Sequence, residues 1–262
     1  MRFKLPKTFA GKTEEEMREA YERIINSPDA PNNQINPIII PNQDLQFITD
    51  ENLYNEIVKY LDKTFPAHKR NLSEKLSFDE VMKGSNPYIA VAVDMFLKQE
   101  MPEYRIATQR DLETNLQMFK VFQIDSGLAL RSLADSNVEQ ATHLFNQLQK
   151  RNHNINFPIW VELRGLTLDN DLNFNLTDGS RYKTADCLNW EKGTHYLETD
   201  DFGLPKSKSS MLGRRIWTTP YRGLSRIYWY SKLFCNSSYL SNSDDNGRVV
   251  VVKPQIRGKT IK

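Results

Sequence analysis

The segment from residue 223 to residue 252 constrains this chain most. It reads GLSRIYWYSKLFCNSSYLSNSDDNGRVVVV, and between Ser225 and Asn246 it holds six Ser, three Tyr and three Asn. Tyr and Trp provide contact area at low cost in conformational entropy, and Ser and Asn provide adaptable hydrogen bonds. The segment ends in four consecutive valines, 249–252, a run typical of a strand buried on both faces. This pattern favours a recognition surface held between core anchors over a catalytic centre.

The bulk properties of the chain are those of an ordinary globular protein. With 262 residues, 39% hydrophobic and 26% charged, it has the length of one large domain or two small ones. The net charge of +2 is too small to indicate a nucleic acid or an anionic membrane as partner, and no apolar run has the length of a membrane span. Because no secretory signal is visible at the N-terminus, the expected location stays open between the cytoplasm and a virus particle.

The first half of the chain is expected to be mostly helical. Apolar residues recur at helical spacing after Asp50 and again after Ser136, and both stripes are interpreted as core packing. Four capping-box patterns mark expected helix starts: Thr13 with Glu16, Ser77 with Glu80, Thr108 with Asp111, and Ser136 with Glu139.

The second half is expected to contain short strands joined by long loops. Residues 157–168 predict a strand, a turn at Gly165 and a second strand, and residues 215–219 predict another strand. Residues 200–210 predict a loop, and in the first half residues 27–41 predict an irregular connection that carries one short strand. Long ordered loops in a compact domain usually carry function.

Five features follow one another in the C-terminal part of the chain. They are the helix start YRIATQRDL of residues 104–112, the strands of residues 157–168, the loop DDFGLP of residues 200–205, the strand with Gly213, Arg214, Trp217 and Thr218, and the terminal GRVVVV of residues 247–252. This order resembles the C-type lectin fold in its bacterial and viral form, which is related to the formylglycine-generating-enzyme fold.

The closer resemblance is to the variable proteins of diversity-generating retroelements. In that family a reverse transcriptase copies a template repeat with errors at adenines, and the mutated copy replaces a variable region at the end of the gene. The mixture of Ser, Tyr, Asn, Asp, Cys and Phe in residues 225–246 is similar to such a region. The resemblance implies an α+β, C-type lectin-like ligand-binding domain at residues 100–262, with a hypervariable region at about 223–252. Residues 1–99 are then a helical N-terminal region that serves for attachment or belongs to the core.

In such lectin-like domains the variable side chains project from a solvent-exposed face of a rigid scaffold. Here Leu224, Ile227, Leu233 and Leu240 are expected to point inward, and the residues between them outward. The candidate ligand-binding residues are Arg226, Tyr228, Trp229, Tyr230, Ser231, Lys232, Phe234, Cys235, Asn236, Ser238, Tyr239, Ser241 and Asn242. The competing interpretation is an ordinary polar loop whose aromatic rings pack onto their own domain.

Candidate catalytic residues find little support in the sequence. The related sulfatase-activating enzymes use a pair of cysteines near the end of the domain, whereas here Cys235 lies in that region and Cys187 is remote. The four histidines lack metal-ligand spacing, and the acids of residues 169–173 match no EF-hand and are interpreted as turn formers. We therefore expect no catalytic residue, no metal and no cofactor.

The sequence thus predicts a non-enzymatic protein that recognises a protein or a cell-surface glycan. Nucleic-acid binding is not expected, because Arg214, Arg215 and residues 206–208 form only a small basic patch beside Trp217. Two alternatives stay open: a structural virion or tail accessory protein of fixed sequence, and an enzyme on the formylglycine-generating-type fold. The oligomeric state is left open as well.

Overall fold

A computed structural model describes residues 8–9, 12–13, 44–115, 121–210, 212–219 and 223–253. The chain divides into two compact units, residues 1–41 and residues 42–262. In the first unit the described part is a pair of antiparallel strands, β1 (Thr8–Phe9) and β2 (Lys12–Thr13). The helix expected to start at Thr13 and the short strand expected within residues 27–41 lie outside the described residues.

The described residues of the second unit form four α-helices: α1 (Glu51–Thr64), α2 (Pro87–Glu100), α3 (Gln109–Thr114) and α4 (Val138–Arg151). The helix predicted after Asp50 is confirmed, and the Asp50 side chain accepts hydrogen bonds from the first turn. The capping box of Thr108 and Asp111 is also confirmed. Among the described helices, none combines the length and the apolar character needed to cross a membrane.

Two of the predicted helix starts are wrong. Ser77 begins a strand, β4 (Ser77–Asp79), which pairs with β5 (Val81–Lys83) through a turn in which Glu80 has a φ of 58°. The helix predicted after Ser136 exists, but its N-cap is Asn137, which has a φ of 53°. The Asn137 side chain makes no capping hydrogen bond, so the expected capping box of Ser136 and Glu139 is not formed. In both places a residue with left-handed backbone geometry lies within three residues of the expected cap: Glu80 after Ser77, and Asn137 after Ser136.

A seven-stranded sheet forms the middle of the unit. Its strands are β7 (Ile124–Leu130), β8 (Ile159–Glu162), β11 (Tyr182–Thr184), β12 (Thr194–Tyr196), β13 (Arg214–Thr218), β14 (Leu224–Trp229) and β15 (Leu233–Ser237). They lie in the order β11-β8-β7-β14-β15-β13-β12, and only the β13–β15 pair is parallel in this described sheet. The strands predicted in residues 157–168 and 215–219 are confirmed by β8, by β9 (Leu166–Leu168), which pairs with β10 (Phe174–Leu176), and by β13.

A smaller sheet joins early and late parts of the chain. The last three valines of the run and Lys253 form β16 (Val250–Lys253), which lies between β3 (Asp44–Phe47) and β6 (Arg105–Ile106) and is antiparallel to both. All four valines are buried, as expected for a strand covered on both faces.

The two faces of the seven-stranded sheet cover different cores. On one face Leu128, Val161 and Leu224 pack with buried residues of α1, α2 and α4. On the other face Ile227 and Trp160 pack with α3, with β16 and with the loop that contains Leu204. The mixture of helices and sheets confirms the α+β class.

The helices before residue 100 belong to the same core as the later strands. Ile57 of α1 and Ile89 of α2 are fully buried in the cluster that contains Leu128 and Val161. The expected boundary between residues 99 and 100 therefore lies inside one compact unit, residues 42–262. The physical reason is that α2 is apolar on nearly every side, so it needs the sheet to cover it.

Candidate functional site

Three aromatic rings form a row across three neighbouring strands of the large sheet. Tyr228 on β14 lies opposite Phe234 on β15, and Phe234 lies opposite Trp217 on β13. Directly opposed residues project from the same side of a sheet. The Tyr228 and Phe234 rings are stacked, with centroids 5.1 Å apart and planes 4° apart, and the Trp217 ring follows 6.5 Å from Phe234. We call these residues the aromatic row, and all three are half-buried.

Basic side chains surround the aromatic row. The Lys232 ammonium lies 4.4 Å from the centroid of the Trp217 ring, and the Lys192 ammonium lies 4.3 Å from it. Arg215 projects from the same side of β13 as Trp217, and its Nε contacts Nε2 of His195 at 2.7 Å. We call the aromatic row together with Lys192, Lys232, Arg215 and His195 the basic–aromatic face.

The two lysines of this face are not paired with a carboxylate among the described residues. Among the ion pairs of the described residues, neither Lys192 nor Lys232 lies within 4.0 Å of an Asp or Glu oxygen. Their charge is stabilised by the electron-rich face of the Trp217 ring, an interaction of about 0.5–1 kcal/mol at an exposed site. The face therefore carries positive charge that an external anion can neutralise.

The structure separates the predicted site residues into three groups. Tyr230, Ser231, Tyr239 and Asn242 are exposed, and Tyr228, Lys232, Phe234, Ser238 and Ser241 are half-buried. Arg226, Trp229 and Cys235 are buried, and the side chain of Asn236 lies outside the described part. The expected inward residues Leu224, Ile227, Leu233 and Leu240 are confirmed, each being at most 3% exposed.

Arg226 was expected to project outward, but the structure buries it. Its guanidinium is 3% exposed and forms two hydrogen bonds with the Asp125 carboxylate, at 2.7 Å from Nε and 2.6 Å from Nη2. Ser85 donates a further hydrogen bond to Asp125 at 2.7 Å, and Arg226 Nη1 donates to the Asn242 carbonyl at 2.6 Å. A buried bidentate pair of this kind connects the C-terminal segment to the core.

Trp229 and Cys235 were also expected to project outward, but both face the core on the other side of the sheet. Trp229 is 3% exposed and pairs across the strands with Leu233 and Ile124. Cys235 is fully buried, and Arg131 donates hydrogen bonds to its sulfur and its carbonyl. Burial raises the pKa of the Cys235 thiol, which makes the thiolate scarce at neutral pH.

The small basic patch predicted beside Trp217 divides between the two faces of β13. Arg215 reaches the basic–aromatic face, whereas Arg214 turns to the opposite side and places its Nε 3.0 Å from Oε2 of Glu113. The Tyr196 hydroxyl donates to the other Glu113 oxygen at 2.6 Å. Burial raises the pKa of Glu113 to about 7, although the Arg214 charge opposes this.

The acids considered as metal ligands form turns instead. The Asp169 carboxylate accepts hydrogen bonds from the backbone N–H groups of Asp171 and Asn173, each at 2.9 Å. These bonds lower the pKa of Asp169 against the opposing effect of its burial. In the described ranges of the chain, no three His, Cys, Asp or Glu side chains come together as a metal site.

Sequence reasoning did not assign Trp217, Lys192, Arg215 or His195 to the site. Arg215 and Trp217 are two residues apart in a predicted strand, so their projection to one side was available from the strand period. Nothing local in the sequence indicates that β13 lies beside β15, since that contact is a parallel pairing of strands separated by β14. Comparison with known proteins provides no relative whose residue roles could be transferred to this chain: no family model, no curated protein and no solved structure matches it.

Proposed function

We propose that this chain is a non-enzymatic ligand-binding protein with a C-type lectin-like fold, whose C-terminal segment is diversified by a retroelement. Its binding surface is the basic–aromatic face together with the exposed turn at Tyr230 and Ser231 and the loop around Tyr239. The partner is a protein or a cell-surface glycan.

The meeting of the sequence motifs in space supports the lectin-like part of the proposal. Arg105 and Ile106 of the motif YRIATQRDL pair with Val252 and Val251 of the terminal motif. The loop of residues 200–205 packs on the same helix start, where a Cβ on Gly203 would come within 2.7 Å of the Arg110 backbone. Three motifs far apart in sequence are therefore neighbours.

One observation supports the binding function: half-buried aromatic rings share one side of the large sheet with lysines that have no carboxylate partner among the described residues. Aromatic residues partly exposed on a scaffold are the usual anchors of an interface. The inward side of the same strands is filled by Ile227, Leu233 and Cys235, each fully buried. Side chains on the outward side can therefore change without altering this core.

The alternative enzyme gains no support from its best candidate residue. A nucleophilic cysteine is expected to be partly exposed and to have a lowered pKa. The sulfur of Cys235 is buried behind the sheet, and burial raises its pKa. The fixed virion component remains the alternative to test.

The experiment is to sequence the DNA beside this gene. A near-copy of the codons for residues 220–252, next to a reverse-transcriptase gene, is expected. It should differ at adenines and in codons of outward residues such as Tyr228, Tyr230, Lys232, Phe234 and Tyr239. Codons of Arg226, Ile227, Leu233 and Cys235 should be unchanged, because their side chains fill the core or the Asp125 ion pair.

Two results would contradict the proposal. Absence of any near-copy would leave a protein of fixed sequence and favour the structural virion component. A near-copy whose changes fall mainly on the codons of Ile227, Leu233 and Cys235 would separate the diversified residues from the basic–aromatic face, since these three side chains are buried on the other side of the sheet.

A further inference from the structure

We propose that the basic–aromatic face binds an acidic protein surface, in which carboxylates contact the ammonium groups of Lys192 and Lys232 and apolar side chains contact the ring edges. This rests on the proposed function, because it takes that face as the recognition surface. It narrows the partner from a protein or a glycan to a protein of stated charge.

The faces of the rings are already in contact with neighbours. The Tyr228 ring stacks on Phe234, and the Arg226 guanidinium lies 5.0 Å from the Tyr228 centroid. Lys232 lies 5.4 Å from the Phe234 centroid and 4.4 Å from the Trp217 centroid, and Lys192 also lies over Trp217. A nucleic-acid base or the apolar side of a sugar ring binds an aromatic residue by stacking on a free face. These rings are poorly arranged for such ligands.

The ring edges are what the row offers to a partner. The edge of an aromatic ring carries partial positive charge, and the face carries partial negative charge. Rings stacked side by side on a sheet expose edges outward, so their electrostatic preference agrees with that of the nearby lysines. Both favour oxygen anions, and the hydrocarbon of the edges favours apolar side chains between those anions.

The charges of the face also select the partner. Lys192, Lys232 and Arg215 contribute three positive charges to the face. The acid nearest to Lys192 in sequence is Glu191, and its single negative charge does not balance them. Complementary charge across an interface accelerates association and suppresses wrong partners. Lys192, Arg215 and Trp217 lie outside residues 223–252, so this preference persists when the residues of that segment change.

The test compares three labelled probes of equal net charge by fluorescence anisotropy. They are a peptide of alternating Glu and Leu, a heparin oligosaccharide and an oligothymidylate. Titrations are made at about 0.1 M and about 1 M salt, where the Debye length is about 10 Å and about 3 Å. We expect the Glu–Leu peptide to bind most tightly and to keep measurable affinity at high salt, because its leucines pack on the ring edges. The heparin oligosaccharide and the oligothymidylate should lose their affinity at about 1 M salt.

Two double variants locate the binding. K192E/K232E should weaken peptide binding by about tenfold or more, since it places carboxylates against carboxylates. K59E/K75E makes the same change of charge at two exposed lysines of α1 and of the turn at residues 73–75, and it should leave the affinity within about twofold of the unaltered protein.

The contradicting outcomes separate the two proposals. If the oligothymidylate or heparin binds more tightly and retains binding at high salt, the acidic protein partner is wrong while the face remains a binding surface. If no probe binds at low salt, or if K192E/K232E and K59E/K75E have equal effects, the face is not the recognition surface and both proposals fail.

Discussion

Arg226 lies within the segment that resembles a variable region, and it is among the most deeply buried charges of the protein. It is paired in the described structure with Asp125, whose side chain is fully buried. We expect Arg226→Met to destabilise the protein by roughly 3–5 kcal/mol, because it leaves a carboxylate without its partner in the core. Urea denaturation measures this change in the free energy of unfolding.

Two further variants make that result specific. R226M combined with D125L should recover most of the lost stability, because an apolar pair replaces the ion pair. Arg215→Met, on the exposed side of β13, should change the free energy of unfolding by less than about 0.5 kcal/mol. Equal losses for Arg215→Met and Arg226→Met would contradict the buried ion pair.

The two cysteines make a second prediction at the scale of single residues. Burial raises the pKa of Cys187 to about 12 and raises that of Cys235. Neither thiol should react with an aromatic disulfide reagent at pH 8 while the protein is folded, and both should react in urea. Tyr239→Cys, at a position 75% exposed, should react at once in the folded protein. Rapid reaction of Cys235 in the native state would refute its placement.

Among the elements, α3 and α4 both follow a capping-box pattern in the sequence, but only α3 of these two forms the capping box in the structure. Thr108→Ala removes the hydroxyl that accepts from the Asp111 N–H at 3.2 Å, and it should cost about 1 kcal/mol. Ser136→Ala should cost clearly less, because Asn137 and not Ser136 is the N-cap of α4. The Ser136 hydroxyl donates to the Leu224 carbonyl at 3.5 Å, a long hydrogen bond. Thermal unfolding of both variants compares them, and equal losses would contradict the assigned caps.

The elements predicted from sequence are those with a local cause. The helix after Asp50 and the capping box of Thr108 depend on residues within one turn, and both are confirmed. The helix α2 was not predicted, because its apolar residues surround the helix and leave little 3.6-residue period. The strand β7 was not predicted either, because Asp125 and Gly127 interrupt its apolar pattern.

The interruptions in β7 have tertiary causes that local patterns do not contain. Asp125 is there to pair with Arg226. Gly127 is there because the Trp160 indole lies over it, and a Cβ would come within 2.7 Å of the indole nitrogen. The candidate site was predicted only in part for the same reason: Tyr228 and Phe234 belong to one segment, whereas Trp217 reaches them through strand pairing.

For the whole molecule, the buried carboxyl of Glu162 predicts a stability that falls as pH rises. The side chain is 1% exposed, and its oxygens accept no hydrogen bond from the described residues. Burial raises its pKa from 4.5 to about 7, although Arg181 opposes the shift. Between these values the folded protein holds a proton that the unfolded chain releases, so the free energy of unfolding decreases with increasing pH.

The expected size of this effect is up to about 3 kcal/mol between pH 4.5 and pH 7, and Glu113 acts in the same direction. Urea midpoints measured across this range should show a shallower decline in Glu162→Gln than in the unaltered protein. Glu198→Gln, at an exposed carboxylate, is the control and should leave the slope unchanged. A steeper decline in Glu162→Gln would contradict the raised pKa.

The common core of the second unit predicts where the chain can be shortened. A fragment of residues 42–262 should unfold in one cooperative transition, because it contains every described member of both hydrophobic clusters. A fragment of residues 100–262 should aggregate, since removing α1 and α2 exposes Leu128, Val161 and Leu224. Circular dichroism and size-exclusion chromatography test this, and a folded, soluble 100–262 fragment would show that the helices serve attachment alone.

The place of β16 between β3 and β6 has a consequence for inheritance. Its partners are translated long before it, so the small sheet closes only after the ribosome has read through residues 223–249 in the correct frame. A stop codon or a frameshift in that stretch removes β16 and leaves two strand edges and both hydrophobic clusters exposed. We expect proteolysis to remove such a product, so a stable protein requires an open reading frame through residues 223–249.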